Sequence, residues 1–492
     1  MPDRSSGRVR SAILDLLFGF PAALAKLGIV DREAGDRAFD LALPVMLTAG
    51  FRILQQVADF LMVSIALGAS AVAGLEIGFQ YYFIGFGLSL AVSSGTISVV
   101  SRLVGAGEDA QADVALKQSL WLSLLLAVPL TLLAWLYAEP MVGLLTDDGA
   151  VIRQGGAYLR VVMLGLVFRF WTMVAARALY GAGDTRTPMY VRFVTIPVNL
   201  VLNAVLIFGL GPAPALGVVG AAWGTTVANA LAGLAFLALL VTDRFSVRLR
   251  LGGPQLAPSI AWEVVRVGFP LGATRLTRTL GRFPFLFVLG TLGTGVLAAY
   301  AIARRVILLA IMPAWGYGTS ASTLVGQALG AGDEEEASYL GWQTLRIGVA
   351  TQALVAVALA LAAEPIVAAF ASPSPERAVA FLRVFAIGVI PYALARAARG
   401  GLRGAGDAMF PLYGVTLGTG LRLVVAFTAL PVGFVLSSMA GIELSPGMGW
   451  GMAAIYAAIV SDWTVRALVN VGRFAGGRWK LVARESAIGG RP

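Results

Sequence analysis

The sequence predicts an all-α polytopic membrane protein, with about twelve transmembrane helices in two six-helix bundles related by a pseudo-twofold axis along the membrane normal. Three observations carry that expectation. The 492 residues are 58% hydrophobic and only 13% charged, against about 25% charged in an ordinary soluble domain, and the mean hydropathy is +0.81. Apolar runs of spanning length recur along the whole chain. The second half of the chain repeats landmarks of the first. The period-two alternation of an outer-membrane barrel is absent.

In chain order, the apolar runs fall near residues 39–63, 74–100, 115–138, 156–179, 188–210, 216–242, 260–289, 296–325, 338–362, 378–401, 410–434 and 448–471. Ahead of them, residues 1–37 show no cleavable signal. The apolar stretch 11–30 is interrupted by Asp15, Pro21 and Lys26, so 1–37 is expected to be a cytoplasmic or interfacial segment. The remaining divisions are an N-terminal bundle over 38–242, a polar cytoplasmic linker over 243–257, a C-terminal bundle over 258–472 and a cytoplasmic tail over 473–492.

The repeat appears when the chain is laid on itself. Gly105, Ala106 and Gly107 recur as Gly330, Ala331 and Gly332, an offset of 225; Glu139 and Pro140 recur as Glu364 and Pro365 at the same offset. The Gly-Ala-Gly-Asp sequence ending at Asp184 recurs at Asp407, offset 223, and Pro44 maps on Pro270 at 226, which places Arg52 on Arg278. Six spans is an even number, so both halves have the same orientation. Two such bundles around a central cleft form the architecture of an alternating-access carrier.

Charge placement gives an orientation. The connections near 65–73, 211–215 and 290–295 are uncharged. The opposite set holds Arg102, Lys117, Arg177, Arg186, Arg244, Arg248, Arg250, Arg399 and Arg403, and the tail adds Arg473, Arg478, Lys480 and Arg484. By the positive-inside rule both termini are cytoplasmic in the cell (inner or plasma) membrane, and this bias, not nucleic-acid binding, explains the net charge of +10. With neither Cys nor His, the chain has no zinc cluster, thiol nucleophile, disulfide or imidazole relay. No convergent acid, base and nucleophile set points to an enzyme, and no cofactor is implied.

The stretch 39–61 holds the residues on which a functional reading turns. Pro44 interrupts its backbone bonding. An ionised side chain at membrane depth costs on the order of 3 kcal/mol or more, yet the stretch carries Arg52 and Asp59. Seven positions separate them, roughly 10 Å along a helix, so they are poor partners for one another. Asp59 must find its cation on another helix, as a proton, or as a metal ion. Asn199 and Asn203, at i and i+4 in the fifth span, either bond across helices or join Asp59 in an all-oxygen site suited to Na⁺, whereas the carboxylate alone suits a proton. Arg275, Arg278 and Arg282, at i, i+3 and i+7, make a basic stripe in the seventh span, with Arg422 midway along the eleventh. These arginines either pair internally with Asp59, Asp462 or Glu76, or line an aqueous cavity that meets an anionic group. The Gly-Ala-Gly-Asp turns lack Walker and dinucleotide spacing; glycine ends one helix there and Asp can cap the next.

Taken in order, LALPVMLTAGFRILQQVADFLMV, SRLVGAG, RALYGAGDTRTP, NLVLNAVLIFGLG, ALGVVGAAWGT and LVGQALGAGD resemble the multidrug and toxic compound extrusion (MATE) transporters over nearly the whole chain. The resemblance implies an efflux carrier driven by H⁺ or Na⁺ influx. It implies that Asp59 binds the coupling ion, that Asn199 and Asn203 complete that site, and that the first helix bends near Pro44. Two positions depart from the family pattern: residue 203 is Asn where the archaeal branch often has Asp, and residue 52 is Arg where an uncharged polar residue is usual.

Two readings of function follow. The first is a secondary antiporter exporting amphipathic organic compounds in exchange for H⁺ or Na⁺, with Asp59, Asn199 and Asn203 coupling, Arg52, Arg275, Arg278 and Arg282 meeting substrate, and Pro44 as hinge. The second is a flippase for an anionic lipid-linked sugar or phospholipid, its arginines gripping phosphate. A receptor or scaffold fits the buried charges less well. Expected partners are a small organic substrate and membrane lipid, with no nucleic acid, and the chain is expected to work as a monomer.

Overall fold

A computed structural model describes residues 19–66, 69–242, 244–250, 252–370, 374–435, 437–439, 442–444 and 446–485 of the 492. The interfacial reading of 1–37 therefore lies partly outside the described residues; from residue 19 onward it meets a short helix, α1 (Phe20–Lys26). The first half continues with α2 (Arg32–Ala66), α3 (Ala69–Gly105), α4 (Asp109–Gly143), α5 (Gly149–Leu164), α6 (Leu166–Gly181), α7 (Arg186–Phe208) and α8 (Val218–Val241). The second half holds α9 (Pro258–Leu280), α10 (Arg282–Thr291), α11 (Thr294–Ala310), α12 (Met312–Gly330), α13 (Glu334–Leu361), α14 (Ala363–Ala368), α15 (Pro375–Gly404), α16 (Met409–Phe427), α17 (Gly451–Ala475) and α18 (Trp479–Glu485). The sequence gives no warning of a small antiparallel hairpin, β1 (Ser437–Met439) with β2 (Ile442–Leu444), between α16 and α17.

Among the described residues nine helices are long and apolar enough to cross a bilayer, and two bent pairs bring the number to eleven. The α5–α6 pair bends by 45° at Gly165, and α11–α12 bends by 42° just before Pro313, whose missing N–H breaks the ladder. The twelfth span is α9 with α10. Its 23-residue first part carries Glu263, Arg266, Arg275 and Arg278, which spoils its apolar character. Two six-helix bundles result, each with its own apolar core. That of the second half gathers Phe285, Tyr300, Phe381 and Ile455; that of the first is in two clusters, one of Leu159 and Phe170 and one of Leu116 and Phe236, the latter joined by Ile260 and Val264 of α9.

The repeat shows as matched contacts. A Cβ on Gly105 would stand 1.9 Å from the Gln327 carbonyl oxygen, and one on Gly330 would stand 1.9 Å from the Arg102 carbonyl oxygen. Residues 102 and 327, like 105 and 330, are 225 apart, so the pseudo-twofold axis passes between these contacts. Pro140 and Pro365 both break their helices, at Tyr137 in α4 and between α13 and α14. The glutamate before each proline is bridged in the same way, Glu139 by Arg160 at 3.3 Å and Glu364 by Arg383 at 2.8 Å.

The first helix of each half leans on the other half. Besides α7, α2 packs on α12 and α13; α9 packs on α3 and α4. The apolar cluster of Phe39, Ala42, Tyr317, Leu324 and Leu340 fills the first of these seams. Repeat-related positions 37 and 263 carry opposite charges, and each finds its partner across the seam: Arg37 meets Glu336 at 3.2 Å and Glu263 meets Arg102 at 2.9 Å. Close glycine contacts at Gly95, Gly105, Gly268 and Gly330, with Thr323 donating to the Tyr180 carbonyl and Gln327 to that of Gly181, seal the end of the molecule bearing the Gly-Ala-Gly turns. At the opposite end, among the described residues, α7 and α8 have no such seam with α10, α16 or α17, so the cleft opens there.

Arg102 and Glu263 are 8% and 7% exposed. Removing one partner of a buried pair strands the other, at about 3–5 kcal/mol. Glu263→Ala is accordingly expected to lower the thermal midpoint of the detergent-purified protein markedly, whereas Glu364→Ala, at an exposed bridge, leaves it within experimental scatter.

Candidate functional site

Two polar regions line the cleft. The first lies between α2 and α7. Gln55 and Asp59 stand one turn apart on α2, and Asn199 and Asn203 one turn apart on α7, so two i, i+4 pairs face each other. Asn203 Nδ2 donates to Asp59 Oδ1 at 2.8 Å and lies 3.5 Å from Asn199 Oδ1, which accepts from Gln55 Nε2 at 2.6 Å. Both asparagines are 1% exposed, while Asp59 is half-buried. Among the described residues Asn203 is the one hydrogen-bond partner of the carboxylate, and no arginine or lysine comes within ion-pair distance. Behind the pocket, Gly224 of α8 sits so tightly on Asn203 that a Cβ would meet its Oδ1 at 1.9 Å.

Three buried polar atoms here have no partner among the described residues: Thr195 Oγ1, Asn199 Nδ2 and Asn203 Oδ1. Rotating the Asn203 amide would replace the N–H facing Asp59 by an oxygen, and Asn199 already presents one. The pocket can thus hold a carboxylate either solvated by an amide N–H or, after that rotation, ringed by oxygens. Gln55 was missed in the sequence although its i, i+4 relation to Asp59 was there to be used.

The second region is a field of arginines. Arg52 lies within electrostatic reach of Arg169, Arg177 and Arg275; Arg192 feels Arg169 and Arg52; Arg278 feels Arg275 and Arg396; Arg399 and Arg403 join through Arg396. All nine are half-buried. Among the described residues none has an acidic partner; their fixed contacts are carbonyls, hydroxyls and rings. Arg278 donates to Thr274 O at 3.2 Å, Arg399 to Thr274 Oγ1 at 2.9 Å and Arg403 to Ser322 Oγ at 3.0 Å. The Arg275 guanidinium sits 4.3 Å from the Phe83 ring centre and 4.9 Å from that of Phe86, and Arg52 stands 6.0 Å from that of Trp315.

The basic stripe of the seventh span is divided. Arg275 and Arg278 belong to this field, but Arg282 lies past the α9–α10 break, exposed, with Arg304 and Arg422 as its charged neighbours. Arg422 is internally committed, 3.4 Å from Asp462 Oδ2 and donating to the Gly281 carbonyl at 2.9 Å. Asp462, also bound by Arg466 at 2.6 Å, is a locked carboxylate, the opposite of Asp59. Arg177, Arg399 and Arg403, expected in loops, lie in the cleft wall instead. Arg102 is buried in its ion pair, and Lys117 donates to the linker carbonyl of Gly252 at 2.7 Å. Pro44 is buried within a helix that continues through it, and Thr48 Oγ1 donates to its carbonyl at 2.8 Å. Of the two Gly-Ala-Gly-Asp turns, Asp184 caps the N–H groups of Arg186 and Thr187, whereas Asp407 is held by Arg473 at 2.7 Å.

Two repeated six-helix bundles about a cleft open at one end, with charged side chains at membrane depth, define a polytopic membrane transporter. The MatE family model matches residues 44–205 and 270–428, one block in each half. The chain belongs to the MatE family. It is 27% identical over 452 residues to a probable multidrug resistance protein NorM of Thermotoga maritima, covering 91% of this chain and 94% of that one. It is 25% identical over 350 residues to an FAD transporter of Shewanella oneidensis, covering 70% and 76%. The fold matches an outward-facing MATE transporter of the MOP superfamily with a TM-score of 0.80 at 22% identity, over 90% of this chain and 96% of that one. It also matches a MOP superfamily transporter of Pyrococcus furiosus, described as having a binding pocket of reverse polarity, with a TM-score of 0.78 at 22% identity over 96% and 98%.

Proposed function

We propose that this protein is a secondary antiporter that exports amphipathic organic compounds in exchange for H⁺ or Na⁺ by alternating access. It would sit in the cell membrane with both termini and the sealed end cytoplasmic, and would work as a monomer because one chain encloses a whole cleft. Asp59 carries the reading: it is a half-buried carboxylate within a membrane-spanning helix, bonded by Asn203 and, among the described residues, paired with no cation.

The coupling element is α2. Its Asp59 face lies on α7 in the first half and its other faces on α12 and α13 in the second, so a change at the carboxylate bears on the seam between halves. A cation shifts the equilibrium only by its differential affinity for the two states. Asp59 supplies the charge, Asn199 and Asn203 the amide oxygens, Pro44 a helix segment that bends at low cost, and Arg52, Arg275 and Arg278 the groups that meet substrate, whereas Arg282, exposed past the α9–α10 break, stands outside that set. Support for substrate breadth comes from the Thermotoga relative, named for multidrug resistance.

The unpaired arginines favour one alternative, a flippase for an anionic lipid-linked sugar or phospholipid. Purified protein in liposomes, given a pH or Na⁺ gradient and offered cationic and anionic fluorescent substrates, separates the two. Export that rises with either gradient and collapses with ionophore supports the antiporter. Lipid transfer indifferent to both gradients replaces it with the flippase.

A further inference from the structure

The cleft has a polarity that neither coupling nor general amphipathic export requires. Nine arginines line it: Arg52, Arg169, Arg177 and Arg192 from the first half, and Arg275, Arg278, Arg396, Arg399 and Arg403 from the second, linked by mutual electrostatic contact. Elsewhere the chain neutralises deep arginines, Arg102 with Glu263, Arg422 and Arg466 with Asp462, and Arg473 with Asp407. In this field, among the described residues, it does not. Two of the nine, Arg169 and Arg396, also hold a buried Nε–H with no acceptor among the described residues, and they belong to opposite halves.

The walls between these charges are flat. Arg275 lies over Phe83 and Phe86, Arg169 over Phe86 at 5.5 Å, Arg52 beside Trp315, and Arg177 beside Tyr180 at 5.7 Å. Trp315 is pinned by its Nε1–H to Tyr392 Oη at 2.8 Å. A guanidinium stacked on a ring keeps its in-plane N–H groups free for a phosphate or carboxylate, and its outer face free for a second flat ring.

We infer that the cleft binds an aromatic compound carrying two or more negative charges, as phosphate or carboxylate groups, with Arg169, Arg192, Arg396 and Arg399 as anion-binding residues beside Arg52, Arg275 and Arg278. This rests on the reading of the cleft as the transport path and names its substrate class. Two charges are needed because uncompensated arginines come from both halves, and a phosphate dianion or a pair of carboxylates can be met by both sets at once. A cationic amphipath, by contrast, would enter a field of its own sign.

Riboflavin and flavin mononucleotide test this, for they share one ring system and differ by a phosphate bearing about two charges at pH 8. Binding to the full chain in nanodiscs without any ion gradient is read from quenching of flavin fluorescence. Because no gradient is present, the result is independent of whether transport is ion-driven. The mononucleotide should bind about tenfold or more tightly than riboflavin, weaken as NaCl is raised, and compete with neither ethidium nor phosphatidylglycerol. Arg169→Gln and Arg396→Gln should each weaken it by about 10- to 100-fold. Arg169→Lys and Arg396→Lys should recover part of the loss, and Arg383→Gln, at an exposed bridge outside the cleft, should change nothing. Equal affinity for the two flavins, tight ethidium binding, displacement by inorganic phosphate at equal concentration, or displacement by phosphatidylglycerol would each overturn the inference, the last by assigning the arginines to a lipid headgroup.

Discussion

The Asp59→Asn protein is expected to fold, to bind substrate, and to move none of it under either a pH or a Na⁺ gradient. The substitution keeps the shape of the side chain and an oxygen for Asn203 Nδ2, now 2.8 Å from Asp59 Oδ1. It removes a charge whose burial opposes folding, so thermal stability should hold or rise. What it removes from function is the differential affinity itself. Turning a two-state carrier from one dominant state to the other takes about 5.5 kcal/mol of preferential binding, and a neutral amide pocket offers a proton none of it and Na⁺ little. Flux should fall to the level of empty liposomes. Asp462→Asn is the instructive contrast. It leaves Arg466 and Arg422 facing a neutral group in the core of the second half, at about 3–5 kcal/mol, so it should lose folded protein before it loses coupling. Gradient-driven export by Asp59→Asn at the wild-type rate would end the assignment.

These two carboxylates show how far the sequence could be read. Both stand out as acids within apolar runs, and periodicity brings Asn199 and Asn203 to one face. Arg466, one turn beyond Asp462, is a local cation that Asp59 lacks, but nothing local says that Arg422 joins it from another helix while Asp59 is left to an amide. That distinction depends on the packing of α16 on α17 and of α2 on α7. The two bundles and their axis were legible because the landmarks at offsets near 225 are glycines and prolines, residues held by backbone geometry. The arginine field was legible only in part. Arg275 and Arg278 announce themselves by helical spacing, but Arg177, Arg399 and Arg403 lie near helix ends, where a basic residue ordinarily belongs to a loop. Their helices reach inward to the seam, and only the tertiary arrangement sets them opposite Arg52 and Arg169. With those residues in the cleft wall, the basic residues left at loops and ends are Arg186, Arg244, Arg248, Arg250 and the tail.

Gly330→Leu should hold the carrier away from its sealed state. In that state a Cβ at residue 330 would stand 1.9 Å from the Arg102 carbonyl oxygen and 2.8 Å from the Ala106 nitrogen. Both are backbone atoms within packed helix ends and cannot swing aside. Ordinary contact lies at about 3.5–4.0 Å, so the two halves must part here by roughly 1.5–2 Å. That separation stretches the bonds from Thr323 to Tyr180 O and from Gln327 to Gly181 O, and the Arg102–Glu263 pair. Each bond contributes about 1 kcal/mol and the charged pair more, while about 1.4 kcal/mol is a tenfold change in population. The sealed state should therefore become a hundredfold rarer or more, at about 1.4 kcal/mol per factor of ten. Gly105→Leu should act alike through the Gln327 carbonyl, and the double variant should add little, because one wedge already opens the seam. Gly420→Leu, on an exposed helix face with nothing near its Cβ, should be silent. The chain has no cysteine, so spin labels on cysteines introduced at Asp109 and Glu335, both exposed at the sealed end, would report the distance directly. The wedge should lengthen that distance and slow export together. An unchanged distance with normal export would mean that this end is not a gate, and that the reciprocal glycines serve packing alone.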